Sequence, residues 1–248
     1  MGRITEGIKH LLIINVLLFV ATFLYGDQLF AWLALWYPQN ANFGIWQVVT
    51  HMFMHGGLMH ILFNMYALWA FGSPLERMWG TKKFLFFYFS AGLGAALIHT
   101  GWNYYQVSQG LEALAAAGIP ETQVIDALVQ GKYSPAWMEV APRAVVQSMM
   151  DSFMYPAVGA SGAIYGILVA FGMLFPNSEL FLIFLPIPIK AKYFIPALIL
   201  LDLFSGVTGQ PIFGQNIANF AHLGGALFGF IMMWYWKRNQ FNKNRWDL

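Results

Sequence analysis

The chain has 248 residues, of which 58% are hydrophobic and only 10% charged, with a net charge of +2 and no cysteine. A soluble domain carries roughly 25% charged residues, so a water-soluble enzyme and a disordered chain are both excluded, and an all-α polytopic membrane protein is the expected class. The balanced charge gives no reason to expect a nucleic-acid partner, and the lack of cysteine removes disulfides, thiol catalysis and thiolate metal sites.

A helix that crosses a bilayer needs about 20 apolar residues. In chain order the first such run is Ile8–Tyr25, which is broken at Gly26-Asp27. The polar, basic start before it leads to no small-residue cleavage site, so this run is read as a retained span. Residues 29–54 are rich in Trp and Phe but contain Pro38 and Gly44, a pattern suited to the membrane–water interface. Leu58–Phe71 is the second expected span, ending at Gly72-Ser73-Pro74, and Phe84–Thr100 is the third. Ala157–Phe175 is the fourth, Tyr193–Gly206 the fifth and Asn216–Trp236 the sixth. Between the fourth and fifth, Leu180–Ile189 is too short to cross and carries two prolines, which places it in the interface.

Six spans put both termini on one side. Eleven of the thirteen Lys and Arg residues fall on that side, leaving only Lys132 and Arg143 on the other. The positive-inside bias predicts cytoplasmic termini. The expected architecture is a single membrane domain over 1–248 with an outer insertion at 101–156, between spans three and four. Leu111–Gly118 reads there as a small helix of its own, and Pro120-Glu121-Thr122 as the start of another. The apolar positions Val124, Ile125, Leu128 and Val129 follow helical spacing.

Polar side chains inside spans are costly and mark function or pairing. They gather in spans two, four and six. Span two carries His60 and Asn64, four apart and so on one helical face. Span four opens Gly159-Ala160-Ser161-Gly162 and continues to Tyr165 and Gly166, while span six contains His222, Gly225 and Gly229. These three spans run in the same direction, which puts the polar groups some 5–10 Å below the outer surface at about 1.5 Å per residue. Gly162 and Gly166 on one helix, and Gly225 and Gly229 on the other, leave smooth stripes that allow close approach.

Ser161 and His222 can then meet. A serine hydroxyl becomes a useful nucleophile when a neutral imidazole takes its proton. The resulting oxyanion needs donors, and His60, Asn64 and the Ser161 N–H are available. Tyr165, one turn below Ser161, is expected to pack against the imidazole. No acid is expected to reach His222, so the constellation reads as a Ser–His dyad. Asp202 is assigned to capping or anchoring the loop after span five. His51 and His99 read as interfacial.

These residues resemble the rhomboid intramembrane serine proteases. His55-x4-His60-x3-Asn64 is similar to the span-two signature of that family, Gly159-x-Ser161-Gly162 to its nucleophile motif, and Ala221-His222-x2-Gly225-x3-Gly229 to its base motif. Glu76-Arg77-x2-Gly80 is similar to its cytoplasmic loop. The resemblance implies a six-helix fold, peptide-bond hydrolysis without cofactor or metal, membrane-anchored protein substrates and a bacterial inner membrane. It assigns Ser161 as nucleophile, His222 as base, His60, Asn64 and the Ser161 N–H to the oxyanion, and His55 to structural support. It also likens span five and the loop Gly206–Ile217 to a lateral gate and cap. Two departures stand out. Trp46-Gln47 replaces the Trp-Arg of many members, and the outer insertion lies outside the minimal fold. An ion-binding transporter, a zinc protease built on His51, His55 and His60, and a catalytically dead relative are the rival readings. The missing carboxylate on those histidine turns argues against zinc, and the joint presence of Ser161 and His222 argues against a dead member.

Overall fold

The computed structural model describes residues 4–182, 185–210, 212 and 218–243. Helix α1 (Glu6–Leu33) bends at Gly26, whose backbone leaves helical geometry at φ 46°, and then resumes. A loop and two short turns, α2 (Gln47–Thr50) and the 3₁₀ turn His51–Phe53, lead to α3 (Leu58–Ala67). A π turn at Leu68–Gly72 joins α3 to α4 (Ser73–Trp79). Gly72-Ser73-Pro74 was expected to end this span. Instead the wider turn absorbs the proline, which lacks an N–H, and the helix continues.

Helix α5 (Thr81–Ala116) has 36 residues. That is about 54 Å at 1.5 Å per residue, against roughly 30 Å of bilayer hydrocarbon. The expected break near Thr100 is absent, and Leu111–Ala116 is the end of α5, not a separate helix. Residues 101–116 are more polar but contain no proline, so nothing stops the helix there. Helices α6 (Glu121–Val129), α7 (Trp137–Val140) and α8 (Arg143–Met154) fold back onto this extension. They close a second core of Val107, Leu114, Val124, Trp137, Met149 and Phe153, with Tyr37 of the first loop. Gly110 is required there, because a Cβ would lie 2.3 Å from that of Met149.

Helix α9 (Ser161–Leu174) lies at the centre of the main core, with nine of its fourteen residues buried. Strands β1 (Glu179–Leu182) and β2 (Leu185–Lys190) form an antiparallel pair where a short interfacial segment was expected. Helices α10 (Ala191–Thr208) and α11 (Asn219–Lys243) complete the chain. A helix thus occupies each of the six expected span positions. By length and apolarity, α1, α5 and α10 are able to cross a membrane, and α9 is a shorter apolar helix. Half of the segment likened to a cap, 211 and 213–217, lies outside the described residues.

Glycines set the spacing around α9. A Cβ on Gly162 would lie 2.5 Å from that of Ala95, and one on Gly166 would lie 2.6 Å from that of Ala91, so α5 presses on one side. On the other side α11 approaches until a Cβ on Gly225 would stand 1.8 Å from the Gly162 carbonyl oxygen. One on Gly229 would lie 2.6 Å from the Gly166 α-carbon. At the opposite end of the fold, buried Glu76 accepts the N–H groups of Gly7 and Ile8, at 2.7 and 2.9 Å, and the hydroxyls of Thr5 and Thr81. This carboxylate closes the free N-terminus of α1.

Candidate active site

Ser161 is the first residue of α9. Gly159 precedes it with φ +122°, a backbone region that disfavours a side chain. The Gly159 N–H donates to the His51 carbonyl at 2.9 Å, and Leu35 and Ala157 exchange a pair of 2.9 Å backbone bonds. The turn that presents the serine is therefore tied to the first loop. His51 is buried at this tie. Its Nδ1 lies 2.7 Å from the Gln47 carbonyl.

Gln47 is itself fully buried. Its Nε2 lies 2.7 Å from the Asn42 carbonyl, 3.2 Å from that of Trp32 and 3.3 Å from that of Ala31, and its Oε1 accepts from the Trp36 N–H at 3.3 Å. A neutral amide thus anchors the first loop where an arginine was the expected family residue.

The imidazole of His222, on α11, places Nε2 2.9 Å from the Ser161 hydroxyl. Its face stacks on the Tyr165 ring at 4.2 Å between centroids and 10° between planes. The expectation that no acid reaches His222 does not hold. Asp202, wholly buried on α10, has both carboxylate oxygens 3.3 Å from His222 Nδ1 and accepts the Tyr165 hydroxyl. Nor does Asp202 anchor the following loop. Ser205 does that, donating to the Gln210 carbonyl at 2.8 Å and accepting from Asn219 at 3.1 Å. Asp202 and Ser205 are three apart on an otherwise apolar span, so they share a face. That spacing was the signal in the sequence that this face turns toward the polar cluster.

An ionised carboxylate only accepts, so with Asp202 ionised its contact with His222 calls for the hydrogen on Nδ1, which would turn the Nε2 lone pair to the serine O–H. His60 is the reverse case. The Gly56 N–H donates to its Nδ1 at 3.4 Å, which leaves the proton on Nε2. That Nε2 sits over Gly159, where a Cβ would be 2.7 Å from it and 3.5 Å from Ser161 Oγ. Asn64 is buried on α3 and donates to the His60 carbonyl at 3.0 Å. His55 packs edge-on to His60 with centroids 5.1 Å apart, and neither of its buried ring nitrogens has a hydrogen-bond partner among the described residues. A cavity of about 20 Å³ adjoins Ser161, Gly159, His51 and His99, enough for one water.

Comparison with known proteins places this geometry in context. A family described as Rhomboid domain matches residues 42–119 and 137–239, so the unmatched stretch between them is 120–136, inside the expected insertion. Proteins named Rhomboid protease GlpG from Salmonella newport, Salmonella heidelberg and Salmonella typhimurium are each 41% identical to it over 71 residues. The alignment covers 28% of this chain and 26% of each relative, so the chain matches about a quarter of the length of these curated relatives.

Proposed function

Because the chain belongs to the Rhomboid domain family, we propose that it is an intramembrane serine endopeptidase that cleaves membrane-anchored proteins. The observation that carries this reading is the 2.9 Å contact between Ser161 Oγ and His222 Nε2, with the imidazole held flat against Tyr165. The family and the long apolar helices make the chain an integral membrane protein. Six spans with both termini in the cytoplasm of a bacterium fit the bias of its Lys and Arg residues.

In this reading Ser161 Oγ attacks the scissile carbonyl as His222 Nε2 takes its proton. The negative charge that develops on the carbonyl oxygen is met by donors. The donors in this reading are the His60 Nε2–H and the Ser161 N–H, joined by the Asn64 amide on turning from the His60 carbonyl. His222 then gives its Nε2 proton to the leaving amine, and a water activated by the same nitrogen releases the acyl group. The N-terminus of α9 adds a favourable dipole for the anionic intermediate. Gly159, Gly162, Gly225 and Gly229 serve by allowing this approach, and His55 serves by packing against His60.

The test is cleavage of a model transmembrane substrate in detergent or lipid, together with fluorophosphonate labelling. Wild-type protein is expected to cleave and to label at Ser161, and folded Ser161→Ala and His222→Ala variants are expected to lose cleavage. Near-normal turnover by Ser161→Ala would overturn the assignment.

A further inference from the structure

Asp202 is a costly residue in its place. Its side chain is fully buried, and among the described residues its ion pairing is to His222 alone. An ionised carboxylate taken from water loses several kcal/mol of solvation unless partners replace it. Asp202 has two partners, the Tyr165 hydroxyl and the His222 ring N–H. Both of these groups also touch each other through the ring stack. Ser161 and Tyr165 come from α9, His222 from α11 and Asp202 from α10, so three helices converge on one imidazole.

Helix α10 packs on the main core through Phe194, Ile195, Leu198 and Ile199 in its first half. Ala191, Ile195, Asp202 and Ser205 are its buried residues, while Leu200, Leu201, Leu203 and Phe204 around Asp202 are exposed. In the half of α10 nearest the serine, the buried residues are the polar Asp202 and Ser205, and Gly206 packs closely on Phe220 and Asn219 of α11. If α10 swings outward, Asp202 leaves His222, while Ser161 and His222 remain on the tightly packed α9 and α11.

We propose that Asp202 is a positioning residue: its carboxylate holds His222 in the Nδ1–H tautomer, with Nε2 aimed at Ser161, and so makes the docking of α10 a condition for full turnover. This rests on reading Ser161 and His222 as nucleophile and base. The proton bookkeeping is simple. The Ser161 hydroxyl proton passes to Nε2 as the Oγ–carbonyl bond forms, and it leaves on the departing amine as the C–N bond breaks. The Nδ1 proton stays on the ring throughout, and Asp202 stays ionised. Its charge lies beside the imidazolium only while that cation exists, so it lowers the barrier and not the substrate affinity.

The test compares wild type with Asp202→Asn, Tyr165→Phe and the double variant, all purified in one detergent and counted by folded fraction. The carboxamide must present one N–H where two acceptors stood. With that N–H toward Nδ1, the ring carries its hydrogen on Nε2 and offers the serine no lone pair. Asp202→Asn is expected to lose on the order of 10²–10⁴ in kcat, the upper end being the loss for the same change in a soluble serine protease, with KM within about twofold. Tyr165→Phe keeps the ring stack and removes only the donor to Asp202, so its smaller loss should largely vanish in the Asp202→Asn background. A ¹⁵N spectrum of histidine-labelled protein, assigned by the signals that disappear in His222→Gln, reads the tautomer directly. The Nδ1–H form in wild type supports the proposal even if Asp202→Asn fails to fold, and the Nε2–H form overturns it. Unchanged kcat in folded Asp202→Asn overturns it as well while leaving the protease reading intact. Loss of wild-type cleavage and labelling would instead overturn the protease reading, and the tautomer would still decide the Asp202 contact.

Discussion

A single methyl group at Gly225 tests whether the helix spacing sets the reactive geometry. A Cβ there would lie 1.8 Å from the Gly162 carbonyl oxygen, where a relaxed carbon–oxygen contact is about 3.3–3.6 Å. The obstacle is backbone, so no rotamer change relieves it, and α9 and α11 must part by about 1.5 Å. Ser161 adjoins Gly162, and His222 is three residues before Gly225, so the separation falls on their contact. The 2.9 Å bond opens to about 4.4 Å, beyond hydrogen-bond range. A misplacement of 1 Å costs about a hundredfold in rate, and overpacking of this kind destabilises by about 1–3 kcal/mol. Gly225→Ala is therefore expected to lose at least about a hundredfold in cleavage of a transmembrane substrate, with slowed fluorophosphonate labelling and a lower Tm in detergent. Gly225→Val should be worse on all three measures. Gly101→Ala is the matched control, because a Cβ at Gly101 meets nothing within 4 Å. Full cleavage by Gly225→Ala would refute the link between the α9–α11 contact and the reactive pair. Wild-type labelling with a lowered Tm would show that the packing is real but separate from the chemistry.

Asn64→Ala should reduce kcat by up to about 10²–10³ with little change in apparent affinity, since its amide is available to a developing oxyanion; a change in affinity alone would make Asn64 a binding or packing residue. Glu76 supplies a pH-dependent prediction outside the spans. Burial alone would raise its carboxyl, but bonds from Thr81, Thr5, Ile8 and Gly7 outweigh it and hold the group below its ordinary range. The folded value thus lies under the unfolded one, so the stability it contributes is complete above the unfolded carboxylate range and is lost as pH falls through the folded value. Glu76→Gln should be less stable near neutral pH by about 1–3 kcal/mol, and the gap to wild type should shrink in acid. A gap that stays constant with pH in denaturant titrations would contradict this role.

Much of the fold was legible because membrane helices announce themselves by composition. The helices α9 and α10 lie within a few residues of the apolar runs that suggested them, and α1 and α11 begin close to theirs but run well past their ends. What misled was the assumption that a helix ends where apolarity ends. Apolarity reports the solvent, whereas helix termination needs a backbone cause such as proline or a cap. Helix α5 meets no such cause at Gly101 and continues to Ala116. The π turn after Leu68 shows the opposite error, since Pro74 is present but the helix widens around it instead of stopping. Pairing of β1 with β2 across residues 179–190 was not legible either, because two prolines in a short apolar run argue against a strand without excluding an isolated two-stranded edge.

The candidate site divides along the same line between local and non-local information. Ser161, His222 and their glycines sit in short motifs whose helical phase follows from residue spacing alone, so the facing stripes could be read from the chain. His60 and Asn64 followed in the same way. Asp202 could be placed at the right depth, but depth does not say which way a side chain faces. The rotation of α10 about its axis is decided by where its few polar groups find partners, and the apolar residues around them tolerate several rotations against lipid. Ser205 and Asp202 resolve the choice together, one bonding the loop at Gln210 and the other meeting His222. A buried carboxylate permits only the rotation in which it is paired, because any other leaves a charge without water or a donor. The polar pair that is most expensive to bury is thus what orients α10, and it orients the helix toward the imidazole.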